Sequence, residues 1–294
     1  MRRSAFITGS LAASAFPLRA LVRTHIAQRV APIVASIPGS VGVYARTLEG
    51  GPPLYAYNAQ VSFPSASTIK VLIMLTAFTA AQDKPGVMDA RVYYDRDADL
   101  IGGSDFLSTQ PSGTFTVREL IKPMIQVSDN TASNLLISHF GFPLINQVTR
   151  RAGLYHTHLK RHFLDSAAIV HHMDNRTTPQ DMAHLLYEIE RSVREELTTV
   201  ATPESCRAMI RIMLGQTDRD TIPKLLPPGV QVANKTGELS RSRSDVAIVD
   251  PFGDSPYVLT VYANELDSPG EAYSGIAELS KVVYQAVQRY TPNE

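Results

Sequence analysis

The stretch most informative about the fold reads Phe63-Pro64-Ser65-Ala66-Ser67-Thr68-Ile69-Lys70. It leads into residues 68–81, where apolar side chains recur at helical spacing and predict a helix. Ser67 then lies at the helix start, near the positive end of the helix dipole, and Lys70 follows one turn later on the same face. A neutral lysine there can take the serine proton and create a nucleophile. The alternative is a capping Ser67 with a solvated Lys70.

A second polar motif, Ser128-Asp129-Asn130, falls in the break between two predicted helices. A hydroxyl and an amide that project from such a loop can relay a proton and bind a substrate amide. Serine, aspartate and asparagine are also the favoured residues at helix N-termini, so a helix cap is the alternative interpretation.

A third motif, Lys235-Thr236-Gly237, ends a predicted strand. A cation and a hydroxyl suit a substrate carboxylate, and a glycine lets a ligand pack closely against the strand. The alternative is a strand that simply runs into a turn.

The remaining pattern predicts strands towards both ends of the chain and helices between them. Helices are predicted over 22–36, 68–81, 117–126, 132–140, 143–152, 179–190, 203–214 and 274–290, and strands over 40–48, 53–58, 230–235, 245–249 and 257–262. We expect an α+β fold in which an antiparallel sheet is flanked by the N- and C-terminal helices and carries an inserted all-helical domain. The α/β part spans 21–62 and 216–294, the helical part spans 63–215, and a cleft lies between them.

Composition limits the classes of function. With 294 residues, 44% of them hydrophobic, the chain can bury a large core. Lys and Arg number 28 and Asp and Glu also 28, so no basic excess predicts a nucleic-acid partner. The single cysteine, Cys206, excludes an intramolecular disulfide and is predicted to lie in the core. Aromatic residues are scattered, and we expect a monomer that acts on a small molecule without a cofactor or metal.

The first twenty residues read as an export signal. Arg2 and Arg3 precede an apolar run over 5–18 that contains a small-residue triplet at 13–15. Paired arginines are typical of the twin-arginine route. The run is too short to span a bilayer, so no stable membrane anchor is expected, and residues 21–294 are predicted to be periplasmic or secreted. The alternative is an ordinary first helix of a cytosolic domain.

Taken together, the three motifs resemble those of class A β-lactamases and penicillin-binding proteins, in the same order along the chain. The resemblance covers about residues 25–292 and includes Gly102-Gly103-Ser104, 176–179 and 243–247. It implies a β-lactamase/transpeptidase-like fold and a serine hydrolase that works through an acyl-enzyme.

The resemblance also implies a role for each motif residue. Ser67 attacks the lactam carbonyl, Lys70 is its base directly or through water, and Ser128 passes a proton to the leaving nitrogen. The backbone N–H groups of Ser67 and Glu238 form the oxyanion hole. The implied substrate-binding residues are Asn130, Lys235, Thr236, Gly237 and Arg243, with Asn130 holding either Lys70 or the acylamide chain.

One departure from the family concerns release of the acyl group. Class A enzymes use a loop glutamate to activate the deacylating water, and alignment on Leu159 and Arg161 places Phe163 at that position. Asp165, two positions later, is a tentative deacylation base, whereas the alternative is a carboxylate that pairs with Arg161 or caps a turn.

The same loop is rich in histidine. The histidines are His156, His158, His162, His171 and His172. They leave open a histidine base or a metal site, with solvated loop residues as the alternative.

The sequence therefore predicts a β-lactam hydrolase that is slow in deacylation. A penicillin-binding D-alanyl-D-alanine peptidase is one alternative. A sensor of lactams or peptidoglycan fragments, which does not turn over, is the other.

Overall fold

The computed structural model describes residues 15–290, and the side chains of residues 22–289. Most of the predicted export signal, residues 1–14, lies outside the described residues. The helices are α1 (Ala15–Ser36), α2 (Lys70–Asp83), α3 (Arg96–Asp99), α4 (Val117–Gln126), α5 (Asn130–Phe140), α6 (Phe142–Arg151), α7 (Ser166–Val170), α8 (Pro179–Glu195), α9 (Pro203–Leu214) and α10 (Tyr273–Tyr290). In this part of the chain, no helix has both the length and the apolar character of a membrane span.

The main sheet has five antiparallel strands in the order β2-β1-β9-β8-β7. The strands are β1 (Ser40–Thr47), β2 (Tyr55–Tyr57), β3 (Phe63–Pro64), β4 (Arg91–Tyr94), β5 (Gly113–Thr116), β6 (Arg176–Thr177), β7 (Val232–Leu239), β8 (Ser242–Val249) and β9 (Tyr257–Asn264). The predicted hairpin near the N-terminus is confirmed, because β1 pairs with β2. Since β1 also pairs with β9, the two ends of the chain close one sheet, and the predicted α+β architecture is confirmed.

Both faces of the sheet are covered, because successive strand residues point to opposite sides. Ala247 and Val249 pack with α1 and α10, through residues such as Ile26. Val246 and Ile248 belong to the second hydrophobic cluster, which includes the inner face of α8 and most of the other helices. The edge strand β7 therefore borders the helical part of the molecule, where a cleft can form.

Helix α2 runs through the centre of the helical part. Every residue from Lys70 to Phe78 is buried, and a helix that is apolar on all sides is typical of such a core position. A short 3₁₀ turn, Ala66–Ile69, precedes it, so the helix predicted from residue 68 begins in tighter geometry. The turn that carries Ser67 is thus attached directly to a fully buried stretch of helix.

Some elements differ from the sequence prediction. The pairs β3–β6 and β4–β5 were not predicted, because two to four residues are too few to show a period. Strand β7 extends to Leu239, beyond the predicted end at Lys235. Cys206 is buried in α9, as predicted.

Candidate active site

The three sequence motifs meet at the hydroxyl of Ser128. Its Oγ lies 3.2 Å from Lys70 Nζ and 3.1 Å from Lys235 Nζ. These residues come from the start of α2, the loop before α5 and strand β7. The structure therefore brings one residue of each motif into a single cluster between the helical part and the sheet edge.

Ser67 lies in the 3₁₀ turn at the mouth of this cluster. It is partly exposed, whereas Lys70 is fully buried, so the alternative of a solvated lysine is wrong. The preceding residue, Ala66, has a φ of +45°, a left-handed conformation that is uncommon for alanine. Such strain is held by the surrounding structure and clusters at active sites. The turn presents Ser67 at the N-terminal end of α2, where the helix dipole favours developing negative charge.

The amine of Lys70 is surrounded by acceptors. It donates to the Ser128 carbonyl at 2.6 Å and to Asn130 Oδ1 at 2.8 Å. Burial lowers its pKa well below the usual value, the charge of Lys235 lowers it further, and Asp129 opposes the shift. A neutral amine can donate these two hydrogen bonds and still turn its lone pair to a hydroxyl. This is the state that a general base requires.

The loop that carries Ser128 is held rigidly by its neighbour. Asp129 is fully buried, and its carboxylate accepts hydrogen bonds from the backbone N–H groups of Phe106, Leu107 and Ala132. Ser128 itself has a φ of +58°. Asp129 therefore caps α5, as the capping interpretation expected. Ser128 and Asn130 instead face Lys70, as the interpretation of this motif as a catalytic loop requires.

Strand β7 approaches Ser67 through Gly237. A Cβ atom at this glycine would lie 3.2 Å from the Ser67 nitrogen and 2.6 Å from Ser244 Oγ. Any side chain here would press on the turn that carries Ser67. The glycine thus allows the close approach of a strand at the edge of the sheet.

Lys235 projects from the same strand into the cluster. Its amine is fully buried and donates to the Thr236 carbonyl at 2.8 Å. Burial lowers the pKa of Lys235 to about 7, although Asp245 and Asp218 act in the opposite direction. Its charge therefore changes close to neutral pH.

Arg243 does not present a free guanidinium. Its Nη2 lies 2.6 Å from Asp218 Oδ2, its Nη1 lies 2.9 Å from Glu238 Oε2, and the group stacks 4.4 Å from the centre of the Tyr273 ring. Only 2% of the side chain is exposed. The predicted role of Arg243 in carboxylate binding stays a prediction, and the structure adds two acidic partners that the sequence did not indicate.

Phe163 lies directly against the candidate base. The Lys70 amine is 4.4 Å from the centre of the Phe163 ring. Asn134 fixes the backbone at this point, since its Oδ1 accepts from the Phe163 N–H at 2.8 Å and its Nδ2 donates to the Phe163 carbonyl at 3.2 Å. Asn134 was missed from the sequence, although it follows Asn130 by one helical turn and therefore shares its face.

Asp165 lies on the same loop but is engaged elsewhere. Its carboxylate accepts from the Ala168 N–H at 3.0 Å and caps α7. Arg161, which the sequence offered as its partner, instead forms an ion pair with Asp174 at 2.8 Å. The contacts of Asp165 favour the capping interpretation, and its role as a base stays a prediction.

The loop histidines are dispersed over this surface. His162 Nε2 lies 3.1 Å from Ser138 Oγ, and burial lowers the pKa of its imidazole. His156 is 3.6 Å from Asp181, on the side of α8. Among the described residues, no three His, Cys, Asp or Glu side chains are grouped as a metal site would require.

This fold and this arrangement of a serine, two buried lysines and a second serine define a serine hydrolase of the class A β-lactamase type. The sequence matches the β-lactamase enzyme family over residues 25–287, and the chain belongs to that family.

Individual relatives cover nearly the whole chain. The protein is 27% identical over 254 residues to the carbapenem-hydrolysing β-lactamase KPC of Klebsiella oxytoca, across 84% of both chains. A solved structure of a protein called PBP-A superposes with a TM-score of 0.79 at 26% identity, covering 90% of this chain and 97% of that one. A mutant of PBP-A was solved as an acyl-enzyme complex with penicillin-G. The β-lactamase of Burkholderia phymatum also has a TM-score of 0.79, at 26% identity, over 91% of this chain and 99% of its own.

Proposed function

We propose that β-lactams acylate this protein on Ser67 and that it hydrolyses the acyl-enzyme slowly. The observation that carries the proposal is the position of Phe163. Its ring lies 4.4 Å from the Lys70 amine, where the resemblance expects the glutamate that activates water. An aromatic ring cannot accept a proton from water, so residue 163 cannot be the base for release, which supports slow deacylation.

Acylation uses the residues of the cluster one after another. Neutral Lys70 takes the Ser67 hydroxyl proton, directly or through a water molecule, while Ser67 Oγ bonds to the lactam carbonyl carbon. The backbone N–H groups of Ser67 and Glu238 hold the oxyanion. As the C–N bond breaks, Ser128 gives its proton to the lactam nitrogen and regains one from Lys70, which is 3.2 Å away.

Pre-steady-state hydrolysis of nitrocefin tests this proposal. We expect a rapid burst of opened lactam equal to the enzyme concentration, followed by a slow linear phase that is limited by deacylation. Fast linear hydrolysis without a burst would contradict slow release.

The absence of a loop glutamate also supports a second candidate, a D-alanyl-D-alanine peptidase. Such an enzyme is acylated by a peptide and passes that acyl group on to an acceptor. It releases the acyl group formed from a lactam slowly, so the lactam stays attached to the serine. Release of D-alanine from a pentapeptide would favour the peptidase. Labelling by lactams with neither turnover nor peptide cleavage would favour a sensor.

Acylation is expected to slow as the pH rises through about 7, where Lys235 loses its proton. Its ammonium form holds Ser128 and attracts a substrate carboxylate, whereas the neutral amine above this pKa does neither as well. In a Lys235→Arg variant the cation persists, because the guanidinium stays charged. The alkaline decline in the acylation rate should therefore move to higher pH. An identical alkaline limb in both proteins would contradict this assignment.

Two variants separate the roles offered for Asp165. Since its carboxylate caps α7, Asp165→Ala is expected to lower the free energy of unfolding by about 1 kcal/mol. We expect the deacylation rate to change by less than about threefold. Asp165→Asn keeps a capping oxygen and removes the base. A loss of about 10²-fold in deacylation for both variants would instead identify Asp165 as the base.

We also propose that residues 1–20 direct export and that the mature protein is a monomer. The paired arginines and the apolar run that follows support export. Fractionation of cells tests this, because retention of the full-length chain in the cytosol would contradict it. Sedimentation of the purified protein tests the monomer.

A further inference from the structure

A carboxylate of this chain occupies the predicted anion subsite. The resemblance assigns Lys235, Thr236 and Arg243 to a substrate carboxylate. In the structure, Asp218 Oδ2 lies 2.6 Å from Arg243 Nη2, within ordinary charge-assisted hydrogen-bonding distance. Burial would raise the pKa of Asp218, but Arg243 and a hydrogen bond from the Thr236 side chain together hold it below its usual value. Asp218 is therefore an anion at neutral pH and contacts two of the three residues expected to bind one.

A second acid completes the neutralisation of Arg243. Glu238 Oε2 lies 2.9 Å from Arg243 Nη1 and also accepts from the Tyr273 hydroxyl at 2.6 Å. The single guanidinium thus faces two carboxylates. Lys235 adds a full positive charge only below its pKa of about 7. The guanidinium that the resemblance assigns to a substrate carboxylate is therefore already paired with two acids of this chain.

Asp218 is also placed where a ligand can meet it. Its side chain is 31% exposed, while that of Arg243 is 2% exposed. The acid is therefore open to solvent while the guanidinium beside it is not, and its charge also acts on Lys235. A carboxylate that binds to Arg243 must either displace Asp218, which breaks the existing ion pair, or bind beside it, which places two like charges together.

We propose that Asp218 is a specificity-determining residue whose carboxylate stands in the place of a substrate carboxylate and favours acyl donors that are uncharged at this position. The inference rests on the proposed acylation of Ser67. Neutral donors still use Ser67, Lys70 and Ser128, none of which contacts Asp218 among the hydrogen bonds described. Of two donors that are otherwise alike, the one with a carboxylate at this position reacts more slowly because it competes with the internal acid.

A matched pair of esters tests this inference. Phenylacetylglycine esterified with phenol and with 3-hydroxybenzoate gives the same acyl-enzyme, but only the second leaving group carries a carboxylate. The readout is the ratio of the second-order acylation rate constants, carboxylate ester over neutral ester, in the full-length folded protein. Asp218→Asn keeps the shape of the side chain and removes its charge, and we expect the ratio to rise by about tenfold or more.

Further variants act as controls. Asp218→Ser removes the same charge with a smaller side chain and should raise the ratio too. Asp220→Asn is the matched control, since the exposed Asp220 side chain pairs with Lys224 at 2.6 Å, and the ratio should stay at the wild-type value. Because a ratio is measured, a partly unfolded preparation does not imitate the effect.

The possible results distinguish support for the inference, failure of the inference alone and failure of the proposed function. A higher ratio in both Asp218 variants and an unchanged ratio in the control supports the inference. An unchanged or lower ratio in the Asp218 variants, with both esters still acylating Ser67, overturns the inference alone and leaves a structural role in holding Arg243. If neither ester nor a penicillin acylates any variant, the proposed function fails and this inference fails with it.

Discussion

A Phe163→Glu variant is expected to release the penicilloyl group at least about 10²-fold faster than the wild type, which is the usual contribution of a positioned general base. Asn134 holds the backbone of residue 163 from both its N–H and its carbonyl, so the new side chain inherits the direction of the phenylalanine. The Phe163 ring lies 4.4 Å from the Lys70 amine, so a carboxylate here would lie beside the candidate base of the site. Stopped-flow hydrolysis of nitrocefin measures the change as a faster phase after the burst.

A Phe163→Leu variant is the matched control for this prediction. It removes the ring and opens the site to water without supplying a base. We expect it to change deacylation far less than the glutamate does. Equal acceleration by leucine and by glutamate would mean that the ring only excludes water. No acceleration by glutamate would contradict the account of slow release.

Replacing Ser67 with alanine is expected to abolish covalent labelling by penicillins, a loss on the order of 10⁴-fold or more in the acylation rate. The other residues of the cluster then remain, but the atom that forms the acyl bond is absent. Intact-protein mass spectrometry measures the loss directly. An unchanged thermal melting profile would show that the variant is folded.

Ser128→Ala separates the nucleophile from the proton relay. It removes the hydroxyl shared by Lys70 and Lys235 and is expected to slow acylation, with the adduct still on Ser67. Peptide mapping would locate the adduct in residues 63–70. A labelled Ser67→Ala protein would contradict the assignment of the nucleophile.

Local signals explain why much of the fold is predictable from the sequence. Helix α8 begins at the predicted Pro179, because the Thr178 hydroxyl accepts from the Asp181 N–H three residues later. The end of β7 was less predictable. Residues Lys235 to Leu239 are mostly polar, and the strand continues through them because they pair with β8 and pack against the turn that carries Ser67.

Part of the candidate site could likewise be predicted from the sequence and part could not. Lys70 and Ser128 belong to short motifs with a known geometry, and the structure brings them to 3.2 Å. The contact of Asp218 with Arg243 joins an irregular segment to a strand 25 residues later, and no periodicity predicts such a pair. Asn134 shares a helix face with Asn130. Its two hydrogen bonds to the backbone of residue 163 depend on how the loop that carries Phe163 folds back, which the sequence does not show.

The most direct test of the account is the mass of the intact protein followed over time after mixing with benzylpenicillin. We predict one penicilloyl adduct on each molecule, confined to Ser67, which forms quickly and persists for minutes or longer. An adduct that vanishes within seconds while free penicilloate accumulates would contradict slow deacylation and would require another group to activate the water. No adduct at all would contradict the assignment of Ser67 as the nucleophile.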